Sequence, residues 1–392
     1  MKRIVQMCLV VVVILWGVNV SADEGFQPDY QEGKGFNVSK GKSFFAKAGF
    51  RSQFKGVWDN EDSNKTGVSI QRAWLCTSGW VKLPSQVFEK LTFDIKFDVK
   101  NSNLLDFKLG SSVDFGFAQL LFSIGQEKFN QSVKEKSSVW TQSIIGSRPL
   151  GNEKFNRGRR PGVGVTLKFW DGRGEFGVSA CSANGINKSF GGQYYASSLF
   201  LSFWNKYNKK VAVSHNSDHP FSLAVAGSYN LTKLDSSNIG KIGSDDGTLK
   251  SIGMDKISLT EFNSSYGGDL SLNNWTCFAG VRWERLSVSA GFYGFNSTSD
   301  GSLKPSGKGF YLESYLWVWK KILLLSGVYS KASVEDGNRD IFDQSQIQFG
   351  PKAYPFEGWG EAFCVGLYGN RAEDKLKDTT NDSIWLELQI KF

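Results

Sequence analysis

Hydrophobic positions recur at every second residue along most of this chain. In 90–100, Leu91, Phe93, Ile95, Phe97 and Val99 share one side, and Thr92, Asp94, Lys96, Asp98 and Lys100 share the other. In 44–58, Phe44, Ala46, Ala48, Phe50, Phe54 and Trp58 oppose Lys47, Arg51, Gln53 and Lys55. At the end of the chain, Ile384, Leu386, Leu388, Ile390 and Phe392 oppose Trp385, Glu387, Gln389 and Lys391. Successive side chains of a strand point to opposite faces, so these segments are strands with one apolar and one polar side. The pattern returns in 163–170, 174–183, 197–204, 221–232, 275–283, 285–295, 308–319, 321–331 and 357–369. Polar, Gly-rich or charged stretches such as 59–65, 235–247 and 372–382 separate the segments. With the weaker segments included, the pattern predicts about 14–18 strands of about 9–12 residues.

Two architectures share this alternation, a soluble sandwich and a closed membrane barrel. A sandwich core of this size would be divided among repeated domains, and no repeat is visible. The strands have the length of tilted membrane strands, and no Pro interrupts the strong ones. Trp58, Trp74, Trp80, Trp170, Trp204, Trp283, Trp319 and Trp359 lie near strand ends, where aromatic girdles meet a bilayer. Phe392 closes the last alternating strand and resembles the assembly signal of bacterial outer-membrane barrels. Mean hydropathy is −0.28, and after Cys8–Val18 no apolar run is long enough for a helical span, which excludes a polytopic helical membrane protein. The expected fold is therefore all-β: a transmembrane antiparallel β-barrel of about 16 strands.

The first residues read as an address. Met1-Lys2-Arg3, an apolar stretch from Met7 to Val20, and then Val20-Ser21-Ala22 form the three parts of a secretory signal. The expected layout is a cleaved signal over 1–22, a short polar segment over 23–42 and the barrel over 43–392. Four cysteines remain after the signal: Cys76, Cys181, Cys277 and Cys364. An even count in an exported chain permits two disulfides, but the spacing fits no metal site. Cys277 falls on the opposite side of its strand from Cys181 and Cys364. Small unpaired side chains in a sheet are the simpler reading.

Charge then bears on the interior. There are 46 Lys and Arg against 38 Asp and Glu, a formal net charge of +8. If apolar faces meet lipid, the polar faces line a water-filled lumen with Lys47, Arg51, Lys55, Lys96, Lys100, Lys168 and Arg282, among which stand Asp94, Asp98 and Glu175. One stretch, 130–161, lacks the period of two. It carries Lys134, Lys136, Arg148, Lys154, Arg157, Arg159 and Arg160 against Glu135 and Glu153. A loop this long is usually functional or disordered. Folded inward it would narrow the lumen and attract anions, as Arg and Lys rings do. Left outside, its basic residues would meet anionic lipopolysaccharide or nothing.

Other chemistries find little support. His215 and His219 lie in a polar, Pro-terminated turn, and no Gly-x-Ser-x-Gly elbow or phosphate-binding loop is present. No catalytic residue, metal or cofactor is expected, and no basic stripe suits a nucleic acid. A barrel hydrolase is thus the remote alternative. A non-conducting structural or adhesive barrel is the nearer one.

From about Ile70 to Gly185 the chain resembles the phosphate-selective porin O and P family of Gram-negative outer membranes. The resemblance rests on Gln71-Arg72-Ala73-Trp74-Leu75 with Gly79, Leu91-Thr92-Phe93-Asp94-Ile95-Lys96-Phe97-Asp98, Leu104-Leu105-Asp106, and Gly125-Gln126-Glu127-Lys128-Phe129 leading to Glu135 and Ser137-Ser138. Arg148, Arg159-Arg160-Pro161-Gly162-Val163 and Asn184-Gly185 follow in the family's order. The resemblance implies a sixteen-stranded homotrimer with an inward-folded third loop, and it places Lys128 at the constriction beside the basic loop residues. It also implies passive diffusion of small hydrophilic solutes, with a preference for anions such as phosphate. The expected surroundings are the lipid and lipopolysaccharide of the outer membrane, reached through the barrel assembly machinery. Two departures bear against phosphate selectivity: Asn130-Gln131-Ser132 replaces the family's Pro-Phe-Gly turn, and Ser147 stands where an acidic residue is usual.

Overall fold

A computed structural model describes the chain apart from residues 1–24, 26, 32–34, 60–66, 86, 130–148, 151–157, 183–191, 206, 208–220, 239–250, 253–257, 320–321, 338, 356–362 and 392. The signal segment and Phe392 therefore lie outside the described residues. No helix among those described is long and apolar enough to cross a membrane.

The strands are β1 (Gln27–Gln31), β2 (Gly35–Lys40), β3 (Phe44–Asp59), β4 (Gly67–Lys82), β5 (Lys90–Asp98), β6 (Asn103–Asp114), β7 (Ala118–Glu127), β8 (Arg160–Phe169) and β9 (Gly174–Ser182). They continue with β10 (Gln193–Phe203), β11 (Phe221–Asp235), β12 (Asp269–Trp283), β13 (Leu286–Ser299), β14 (Pro305–Trp319), β15 (Leu323–Asp336), β16 (Arg339–Ala353), β17 (Phe363–Asp374) and β18 (Thr379–Lys391). One short helix, α1 (Leu259–Tyr266), lies between β11 and β12. Each strand from β3 to β18 pairs antiparallel with the next, and β18 pairs with β3 from Ser383↔Asp59 to Lys391↔Arg51. This closes a 16-stranded antiparallel barrel and leaves it no free edge.

The polar segment before the barrel contains strands. β1 and β2 form a hairpin, and β2 pairs with Phe44–Ala48 of β3, just beyond the stretch that β18 occupies. The hairpin thus continues the seam at the end of the barrel where the chain enters.

Short turns join strands at that entry end, such as 115–117, 170–173 and 284–285, and the strands that flank 128–159 and 236–268 break off at the other end. Phe117, Trp170, Trp204, Trp283 and Trp319 are all exposed at the entry-end turns, which makes one aromatic girdle. Trp74 is not part of a girdle. It pairs with Asp98 across β4–β5, so its ring points inward and is buried.

The rule of apolar outside and polar inside holds for β18 but fails on one side of the barrel. On β12, Trp275, Cys277, Val281 and Trp283 face out, while Leu270, Leu272 and Phe278 face in and are buried. β14 likewise shows Leu312, Leu316 and Val318 outside and Tyr311, Tyr315 and Trp317 inside. These inward side chains form an apolar core within the barrel. It includes Leu150 from the β7–β8 connection, Ile252, Phe262 and Tyr266 from the β11–β12 connection, and Tyr207 from the β10–β11 connection. A second cluster on the same side joins Tyr315, Trp317, Leu324, Tyr354, Cys364 and Tyr368.

Local chemistry fixes α1 in this core. Ser258 Oγ accepts the Glu261 N–H, and Gly267 closes the helix at φ +68°, a left-handed conformation that suits Gly. The Leu303 N–H, from the β13–β14 turn, donates to the Ser265 carbonyl at 3.0 Å. Phe262 and Tyr266, four apart, then share one face and enter the core together.

Candidate pore lining

Strand register assembles the charged wall. Lys47, Ser78, Asp94 and Lys108 lie on one cross-strand row from β3 to β6. Cys76, Lys96 and Asp106 form the next row. Directly paired residues share a face, so both rows point into the barrel.

Asp106 is the hub of this wall. Its Oδ1 accepts from Arg159 Nε at 2.5 Å, and its Oδ2 accepts from Lys96 Nζ. The three side chains are only 12–20% exposed, a setting in which an ion pair is screened less than at an open surface. Arg159 directly precedes β8, so the carboxylate pins that end of the β7–β8 connection to the inner wall. Beside it, Lys108 Nζ lies 2.8 Å from Glu127 Oε2, and Lys168 stands opposite Glu175 across β8–β9.

Adjacent arginines separate here. Arg160 is 1% exposed, its guanidinium lies 4.5 Å from the Tyr194 ring, and Nη1 donates to the Ser182 carbonyl at 3.3 Å. It is built into the wall, whereas Arg159 reaches along the wall's inner surface. Lys128 is half-buried just past β7. Lys134, Lys136, Arg148, Lys154 and Arg157 fall outside the described residues.

The other expected wall residues have distinct surroundings. Lys47 and Arg51 are half-buried. Lys55 Nζ is 3.0 Å from the centroid of Trp385 and 3.8 Å from Glu387 Oε1, across the seam. Arg72, next to it on β4, donates to Gln53 Oε1 at 2.6 Å. Arg282 points inward but is buried: it donates to Tyr315 Oη at 2.5 Å and lies 4.9 Å from the Tyr207 ring. Asp98 accepts from the Lys100 N–H and from Asn101 in its own turn, which fixes that turn more than the lumen. Sequence reasoning did not single out Asp106, Lys108 and Glu127 as site residues. Their signal was the β5–β6 register, which sets Asp106 opposite Lys96.

Water contact divides the inner wall. Lys96, Lys108, Gln119, Ser123, Thr166, Lys168 and Glu175, on β5 to β9, are half-buried, and Asp94 is exposed. From β11 to β18, inward residues such as Thr232, Leu272, Phe295, Tyr311, Val334, Lys352, Tyr368 and Gln389 are nearly or fully buried. No disulfide joins Cys76, Cys181, Cys277 and Cys364. Cys76 faces the accessible wall, Cys364 is buried in the filled one, and Cys277 is exposed on the outside.

No family model matches the chain, and no curated protein matches it. Solved structures do. The chain is similar to in-vitro folded OmpT, an outer-membrane protein of Vibrio cholerae in its trimer form, with a TM-score of 0.60 at 11% identity over 89% of this chain and 100% of that one. An anion-selective porin from Comamonas acidovorans gives a TM-score of 0.57 at 10% identity over 88% of this chain and 99% of that one. The outer-membrane channel DcaP of Acinetobacter baumannii gives 0.53 at 10% identity over 92% and 100%. The likeness is one of fold: the chain has the closed antiparallel barrel found in outer-membrane porins of Gram-negative bacteria.

Proposed function

We propose that the chain is a porin through which small hydrophilic solutes diffuse passively, with a preference for anions such as phosphate. The observation that carries this reading is the water-accessible inner wall, where Lys47, Arg51, Lys96, Lys108, Arg159 and Lys168 stand among Asp94, Asp106, Glu127 and Glu175. Cations in excess concentrate anions, and partial pairing keeps each site weak enough to release them. The β7–β8 connection acts as the constriction, held between Asp106 and Ser330.

The protein is exported by a cleaved signal over 1–22 and inserted in the outer membrane by the barrel assembly machinery, with Phe392 as its signal. It sits among lipid and lipopolysaccharide as a homotrimer and is not an enzyme. The trimer form of the similar Vibrio cholerae protein supports the assembly, and the anion-selective Comamonas acidovorans porin supports the preference. A second reading, a barrel too full to conduct, is favoured by the buried inner faces of β11 to β18. Single-channel recording in planar bilayers separates the two. Discrete conductance steps, reduced when inorganic phosphate is added to the chloride bath, are expected. Their absence from correctly folded protein favours the filled barrel.

A further inference from the structure

We infer that the solute path is off-centre, running along the inner wall of β4 to β9, and that the β11 to β17 side of the lumen is closed by a permanent, largely apolar plug. The inference rests on the porin reading.

The plug is built from both ends of the barrel. Tyr207 enters from the entry end, where its N–H donates to Ser202 Oγ at 2.6 Å and its ring meets Phe278 edge-on at 6.1 Å. Leu150, Phe262 and Tyr266 enter from the opposite end. All of them pack on inward-facing side chains, so apolar contact extends along the height of the wall. Ordered apolar packing excludes water, and no hydrated solute crosses a region whose lining is at most 8% exposed.

The polarity of the strands fits this division. On β12 to β15 the outward face is apolar through mid-strand, and the inward face joins apolar and aromatic side chains such as Leu272, Phe295, Tyr311 and Val334 to small buried hydroxyls such as Ser287, Ser289 and Ser330. On β4 to β6 the inward face carries Ser78, Asp94, Lys96 and Lys108, which suits water. Arg282 and Glu313, the ionisable groups of β12 and β14 on the filled side, are buried against Tyr315 and Ser289, respectively. Charged lining is thus concentrated where the path runs.

Two native thiols report the division in the unaltered protein. Cys76 is half-buried on the open wall, and Cys364 is 0% exposed on the filled wall. The test is to label folded, detergent-purified protein with a small anionic methanethiosulfonate, map the adducts by mass spectrometry, and record current before and after labelling in bilayers. Labelling of Cys76 at least tenfold faster than Cys364 is expected, with a fall in current that Cys76→Ser abolishes when Cys181, which also faces inward on β9, is first replaced by Ser. Ser78→Cys in the Cys76→Ser background, one strand pleat away, should restore labelling and block. Cys364 labelled as fast as Cys76, or both Cys76 and Ser78→Cys inert, would overturn the off-centre path. Labelling in the expected order without any current before labelling would leave the path geometry standing and remove the porin reading instead.

Discussion

The Leu150 N–H donates to Ser330 Oγ at 3.1 Å, joining residues 180 positions apart. The bond carries the β7–β8 connection across the barrel to β15, where the Leu150 side chain enters the inner core. At its other end the same connection is held by Arg159 on Asp106. Leu150 and Arg159 are thus fixed to different strands of the inner wall, β15 and β6, which supports the proposed constriction.

Leu150→Ala should therefore loosen the connection more than Ser330→Ala. Losing a buried Leu side chain costs about 2–5 kcal/mol, and losing one neutral hydrogen bond costs about 0.5–1.5 kcal/mol. Denaturation midpoints in detergent should fall in that order, and open-channel noise should rise in both variants. Equal midpoints for Leu150→Ala and the parent would count against docking of this residue.

Asp106→Asn should increase anion preference. The substitution removes the carboxylate shared by Lys96 and Arg159 and adds one positive charge to the accessible wall. The zero-current potential in a KCl gradient should move further toward the chloride equilibrium potential. A move toward potassium would contradict the assignment of this wall to the path.

Arg159→Gln and Arg160→Gln should differ in kind. Arg159→Gln lowers anion preference, because a cation on the path wall is lost and the Asp106 charge it balances is left to Lys96 alone. Arg160→Gln leaves selectivity close to the parent's but lowers stability by about 1.5–3 kcal/mol, since it removes a charged donor from Ser182 and a cation from the face of Tyr194. Selectivity and unfolding measured on both variants separate the two roles.

The plug should loosen in alkali. Burial, with Asp336 and Glu261 nearby, pushes the Tyr266 phenol up to about 12. The folded state thus holds the proton more tightly than the unfolded chain, whose phenol titrates near 10. The contribution is complete below about pH 10 and is lost as the pH rises through about 12. Stability followed across this range should fall more steeply in the parent than in Tyr266→Phe, which has no phenol to titrate.

The strand pattern made the barrel legible because β3, β5 and β18 each present one apolar and one polar face. It was less informative where the plug lies. On β12 the apolar positions are even-numbered at Leu270 and Leu272 and odd-numbered from Trp275 to Trp283, because the apolar partner changes from the plug to the lipid. The alternation on this strand is therefore regular only from Trp275 onward. β16 escaped for a related reason: Gln344, Gln346 and Gln348 face Asp374 and Asn370 inside, and Pro351 interrupts the far end. The site was half legible. The basic run 148–160 was visible, but its partner Asp106 is 53 residues from Arg159 and meets it only through barrel closure. Arg282 read as a pore residue because its strand neighbours are apolar. Tyr207, from a connection with no strand pattern, encloses it.

The zero-current potential of the unaltered protein across a KCl gradient tests the central claim most directly. A basic, water-accessible wall should bring it to the chloride side of zero, and raising the salt on both sides at a constant ratio should shrink the shift by screening. A potential at zero, or on the potassium side, would contradict the account.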